Sequence, residues 1–151
     1  MKPVVMLTDA NVFLRFLRND HPQHSPAARQ MLEAAAAGRV LLQVPEIVVA
    51  DIFYTLTAPL MKIPRAAAAR QLAALLQQPG IDLENRHRVF HILTLCETRN
   101  VDYGDAALMV AAQDASPKLL ILTYDQNFTG IPGLTAFSPI DWLQKGHQPP
   151  R

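Results

Sequence analysis

Short apolar runs recur along this chain, most of them followed by two stretches of helical periodicity, and that alternation constrains the fold more than any other feature. Val4-Val5-Met6-Leu7, Val40-Leu41-Leu42-Gln43-Val44 and Leu119-Leu120-Ile121-Leu122-Thr123 have the length and content of strands covered on both faces. Ile81-Asp82-Leu83 and Leu134-Thr135-Ala136-Phe137 are two shorter candidates. Between them, helices are predicted over 12–18, from Ser25-Pro26 to Ala37 with a stop at Gly38, from Pro45 to Ala58, over 65–78 and 85–98, and from Asp105 to Gln113. The order β-α-α-β-α-α-β-α-α-β-β predicts an α/β fold, a three-layer α/β/α sandwich around a mainly parallel central sheet.

At 151 residues the chain fits one domain, expected over 1–140 with a tail at 141–151. Half of the residues are hydrophobic and 18% are charged, which excludes a disordered chain. Asp9 interrupts the first apolar run before a signal-peptide core or a membrane span can form, so a soluble, cytoplasmic protein is expected. Cys96, the one cysteine, fits a reducing compartment and reads as an apolar filler within a helix. The net charge is +1, which does not by itself advertise a nucleic-acid partner. If four of the 13 acids gather in one metal-filled pocket, however, the remaining nine face 14 basic residues, and the surplus favours a polyanion.

Four acids stand at informative places. Asp9 ends the first strand in Thr8-Asp9-Ala10-Asn11, and Asp125 ends a later one in Thr123-Tyr124-Asp125. The carboxyl ends of parallel strands are where open α/β sheets bind ligands. Asp105 opens the helix that begins Ala106-Ala107-Leu108. Asp51 sits among Val48, Ala50, Ile52 and Phe53, a setting in which an unpaired charge needs a metal or an arginine to compensate it. Each acid also has a purely structural account: Asp9, Asp102 or Asp105 as a helix cap, and Asp125 as a turn residue. His21 and His24 read as solvated loop residues, and His87 and His91 as surface residues, since no third ligand accompanies either pair.

Convergence of Asp9, Asp51, Asp105 and Asp125 at one end of the sheet would crowd carboxylates that cannot all stay ionised without a cation. Oxygen ligands without thiolate or imidazole select Mg²⁺ or Mn²⁺ over Zn²⁺. Such an ion binds phosphate and activates water, so the chemistry implied is hydrolysis of a phosphodiester.

The quoted motifs resemble, in order, those of the PIN domain family and, within it, the VapC-type toxins of toxin-antitoxin systems. Thr8-Asp9-Ala10-Asn11 is similar to the first motif, the stretch from Val44 to Leu56 to the second, Asp105-Ala106-Ala107-Leu108 to the third and Thr123-Tyr124-Asp125-Gln126-Asn127-Phe128 to the fourth. The resemblance implies a metal-dependent endoribonuclease with Asp9 and Asp105 as the Mg²⁺ ligands and Asp51 and Asp125 completing the acidic cluster. Asn11 and Thr123 would orient those ligands by hydrogen bonds. It also implies an RNA substrate, a cognate antitoxin and pairing as a homodimer.

One departure stands out: the second motif usually carries Glu where this chain has Asp51, one methylene shorter, with Glu46 as the fallback acid. That departure motivates an alternative of another class, a PIN-like RNA-binding or scaffold module of weak or no activity. A phosphatase with Asp9 as nucleophile fits less well, because position 11 is Asn rather than a second Asp.

Overall fold

The computed structural model describes residues 2–145, and the chain divides into two compact units, Met1–Tyr103 and Gly104–Arg151. Within the first unit the order is β1 (Val4–Leu7), α1 (Ala10–Arg18), α2 (His24–Ala36), β2 (Val40–Val44), α3 (Glu46–Thr57), α4 (Arg65–Leu76), β3 (Ile81–Leu83) and α5 (Arg86–Arg99). Helix α6 (Tyr103–Asp114) leads into the second unit, which continues with β4 (Ile121–Leu122), a 3-10 turn at Gln126–Phe128, β5 (Ala136–Phe137) and α7 (Pro139–Gln144). From β1 to β5 the element order is the one that the apolar pattern predicts, and α7 is an element it does not include.

Every strand pairing is parallel. The first unit holds a sheet of order β1-β2-β3 and the second the pair β4-β5. Parallel neighbours need long crossovers, and the helix pairs supply them. In the first sheet Val4 stands beside Val40 and Leu42 beside Ile81, so the C-terminal ends of all three strands face the same way.

The core of the first unit lies between the central strand and the helices. Val40, Leu42 and Val44 of β2 are buried with Phe13, Val49, Ile52, Phe53, Leu56, Leu72, Leu76, Ile92 and Leu93. Helix α4 packs on α5, and α1 packs on α2 and α3. Alanine makes the closest of these layers possible: Ala68 and Ala69 of α4 are buried. Gly80 shows the tightest fit. Its φ of +83° lies in the left-handed region, and a Cβ there would overlap the Ala35 carbonyl at the end of α2.

Three expectations change. The first apolar run is not covered on both faces: Val4, Val5, Met6 and Leu7 are all exposed, and the central strand β2 takes the burial instead. Apolar composition alone does not tell an edge from a centre. The run at Leu119–Thr123 likewise yields only the two-residue strand β4, with Ile121 buried and Leu119, Leu120 and Leu122 exposed. Helix α2 begins at His24 rather than at Pro26, and the His21 Nδ1 accepts the backbone N–H groups of Gln23 and His24 at 3.2 and 2.9 Å just ahead of its first turn. Cys96 is buried within α5, as a filler should be. Among the described residues no helix is long and apolar enough to cross a membrane.

Candidate active site

In the first unit, Asp9 follows β1 directly and is the N-cap of α1: its Oδ1 accepts the Asn11 N–H at 3.1 Å. The structural and the functional account of this residue are therefore compatible. One carboxylate oxygen starts the helix, and the side chain remains exposed at the C-terminal edge of the sheet. Asn11 engages Asp9 through its backbone rather than its amide. Thr8, just before, is 6% exposed and its hydroxyl donates to the Met6 carbonyl at 3.3 Å, which anchors the strand end.

Asp51 corrects an expectation. Val48, Val49, Ile52, Phe53 and Leu56 form the buried side of α3, whereas Ile47, Asp51 and Tyr54, spaced by four and three, form an exposed stripe. The carboxylate stands in solvent and needs no buried counter-charge. Tyr54, one turn on, donates to the Asp102 carboxylate at 3.3 Å.

Glu46, the other acid of α3, is tied instead. Arg88 Nε lies 3.3 Å from its Oε1, and the Asn85 amide donates to its Oε2 at 3.0 Å. Beside it is Tyr103, 4% exposed and ringed by Phe53 at 6.2 Å, whose hydroxyl makes no well-formed hydrogen bond. Burial, and then the nearby Glu46 charge, push the Tyr103 phenol well above its ordinary value. Glu46 thus serves a clamp between α3 and α5. Asn85 is the N-cap of α5 and Arg88 lies in its first turn, so both partners sit at the start of that helix.

In the second unit, Asp105 lies in the first turn of α6 and is half-buried. Asp125 follows β4 and repeats the chemistry of Asp9, with its Oδ1 accepting the Asn127 N–H at 2.8 Å as the cap of the 3-10 turn. Thr123 Oγ1 accepts the Asp125 N–H at 2.9 Å, so this threonine fixes the backbone that carries the acid. The structure brings Asp9 together with Asn11, and Thr123 with Asp125. Among the described residues it gathers no group of three or more His, Cys, Asp or Glu side chains that could hold a metal ion. His87 is exposed and His91 half-buried on α5, with no further ligand beside them.

A family model for the PIN domain matches residues 6–134, which includes all four acids. The chain belongs to the PIN domain family. PIN domains are generally nucleases. No curated protein matches the chain. Among solved structures it is similar to a chain of a toxin-antitoxin complex from Klebsiella pneumoniae, at 19% identity and a TM-score of 0.31, over 85% of this chain and 93% of that one.

Proposed function

We propose that this PIN domain is a Mg²⁺-dependent endoribonuclease that hydrolyses RNA phosphodiesters, and that it is the toxin of a toxin-antitoxin pair, with a cognate antitoxin and a second copy of itself as partners. The observation that carries the nuclease is the pairing of a family match over residues 6–134 with an acid two or three residues past the end of β1 in one unit and of β4 in the other. The toxin assignment rests on the four ordered motifs of the sequence. The domain is taken as 1–140, with 141–151 as tail.

The donor chemistry fits a hard divalent ion. Asp9 and Asp125 each commit one oxygen to a backbone N–H and present a second, and Asp51 is exposed. Asp9 and Asp105 would hold the ion, with Asp51 and Asp125 completing the acidic set. Bound Mg²⁺ or Mn²⁺ supplies neutralisation of the charge that builds on a phosphodiester. The protein's own part is positioning: helix starts at Asp9 and Asp125 fix the carboxylates, and Thr123 fixes the backbone beneath the latter.

Incubation of the protein with a panel of structured RNAs in Mg²⁺, Mn²⁺ or EDTA tests this. Internal cleavage is expected only with metal, and Asp105→Asn is expected to lower it about 100-fold or more, the scale of losing a group that stabilises transition-state charge. Metal-independent cleavage, or an Asp105→Asn variant as active as the wild type, would overturn it. RNA binding without cleavage would favour the inactive module for which Asp51 in place of Glu is the motive.

A further inference from the structure

Charge is spread unevenly along this chain. Helices α4 and α5 carry Arg65, Arg70, Arg86, Arg88 and Arg99 against the single acid Glu97, a formal charge of +4, whereas the whole chain has +1. The remainder is therefore acidic, at −3. Arg88 is answered by Glu46 of α3, which leaves four arginines and one acid on the two helices.

Three of the four reach across the seam between α4 and α5. Arg65 Nη1 donates to the Asn100 carbonyl at 3.0 Å, Arg70 Nη1 lies 3.5 Å from Glu97 Oε1, and Arg86 Nη1 donates to the Leu76 carbonyl at 3.3 Å. The crossings run in opposite order along the two helices, so α4 and α5 are antiparallel and the guanidiniums are strung along one line. By the rise of a helix, that line is about 20 Å long.

The row is positive and exposed. Two of its members cross to a carbonyl, which accepts an N–H and cancels no charge. Only Arg70 meets an acid, and with side chains 59% and 42% exposed that pair is screened by water. Arg99 adjoins Asn100 and adds a guanidinium at the Arg65 end. Arg86 lies over the Phe90 ring at 5.0 Å, which fixes the other end. The exposed positions between them, Gln71 and Ala74 on α4 and Thr94 on α5, offer no apolar anchor of the kind a protein partner needs. A polyanion needs charge alone.

The Arg86 end also has a definite place beside the candidate site. Arg86 opens α5 three residues past β3, and Asp9 lies two residues past β1 on the same edge of the sheet. Two strand spacings, about 10 Å, separate those strands. The row thus starts near the edge that carries Asp9 and leads away from it.

We propose that the α4–α5 seam is a contact surface for the RNA phosphate backbone, on which Arg65, Arg70 and Arg86 each hold a phosphate remote from the one that is cut. Several phosphates of one strand, at about 3.4 Å each along a helix axis, match the length of the row. Contacts of this kind position a nucleic acid without reading its bases. The proposal rests on the nuclease reading and adds to it a second hold on the substrate, which acts on KM and leaves the chemical step alone.

The test follows binding of a labelled RNA hairpin by anisotropy in EDTA over a salt series, and its cleavage in Mg²⁺. Replacing Arg65, Arg70 and Arg86 together by Gln is expected to lower the salt slope by about 2, the value of three phosphate contacts, and to weaken binding about tenfold. KM rises accordingly and kcat is unchanged. The same three positions as Lys keep the slope, because the contact is one of charge. A control with Arg18, Arg29 and Arg39 as Gln removes equal charge away from the seam and is expected to change the slope by less than about 0.5. Glu97→Gln deletes the one acid of the seam and is expected to steepen the slope by about 0.7 and tighten binding about twofold, a gain that misfolding cannot produce. Melting curves confirm that each variant is folded. Equal losses in the two triple variants, or a wild-type slope in both the seam triple and Glu97→Gln, overturn the proposal. So does a seam triple that binds RNA as the wild type does and loses a polyglutamate peptide, which assigns the face to an acidic protein. Cleavage with unchanged KM and slope in the seam triple keeps the nuclease and removes the seam. A slope that falls as expected, with no cleavage by the wild type, keeps the seam and removes the nuclease.

Discussion

Asp9 and Glu46 follow adjacent parallel strands, β1 and β2, at the same edge of one sheet, and the structure treats them in opposite ways. Glu46 is bound to a guanidinium and an amide and lies against a buried phenol. Asp9 is exposed and held by a single backbone N–H. The difference teaches that position at a strand end does not make an acid functional. What matters is whether the fold has already satisfied it.

The strongest way to break this contrast is to remove Asp9. Asp9→Asn keeps the cap, since Asn and Asp are comparable N-caps, so stability is expected to change by no more than about 0.5 kcal/mol. Mg²⁺-dependent cleavage is expected to fall about 100-fold or more. Parallel melting and cleavage assays check it, and a variant that loses stability but not activity would reverse the roles of the two acids. Glu46→Ala should give the mirror image. It removes a largely exposed ion pair and hydrogen bond to Arg88 and Asn85 and is expected to cost about 1 kcal/mol in urea unfolding, with cleavage per folded molecule unchanged.

A smaller effect sharpens the comparison at the other side of Asp9's helix. The pKa of His21 is held below its ordinary 6.5, first by desolvation and then by the charges of His24 and Arg15, and its Nδ1 must stay unprotonated to accept the Gln23 and His24 N–H groups. The folded state then binds the proton less readily than the unfolded one. Stability is therefore full above pH 6.5 and is lost as the pH falls through the lower, folded-state value. Melting temperature measured between pH 8 and pH 5 should decline only at the acid end, and His21→Asn should flatten that decline.

Most of the element order was legible in the sequence, because the period of the apolar residues switches cleanly between strand and helix. Pro45 and Pro64 stand immediately before α3 and α4, where their fixed φ and lack of an N–H fit a helix start. What was not legible was which strand lies at an edge. Val4 to Leu7 and Val40 to Val44 read alike, and only pairing separates them. The exposure of Asp51 was in principle visible, since 47, 51 and 54 share a helix face. Four apolar neighbours in sequence concealed it, because adjacent residues on a helix point in different directions. The candidate acids were found from strand ends and helix starts. The clamp on Glu46 was not, because its partners Asn85 and Arg88 lie about forty residues away and only the crossover brings them close.

Gly80 sets a reach that extends past its own loop. Its carbonyl accepts the Leu42 N–H at 2.8 Å and so pins the register of β2 against β3, while its missing side chain leaves room for the end of α2. Helix α2 is a rigid rod of 13 residues with the Ala35 carbonyl at one end and His24 at the other. A bulkier residue at position 80 would have to displace either the end of that helix or the strand register, so one missing side chain holds two neighbouring crossovers in place.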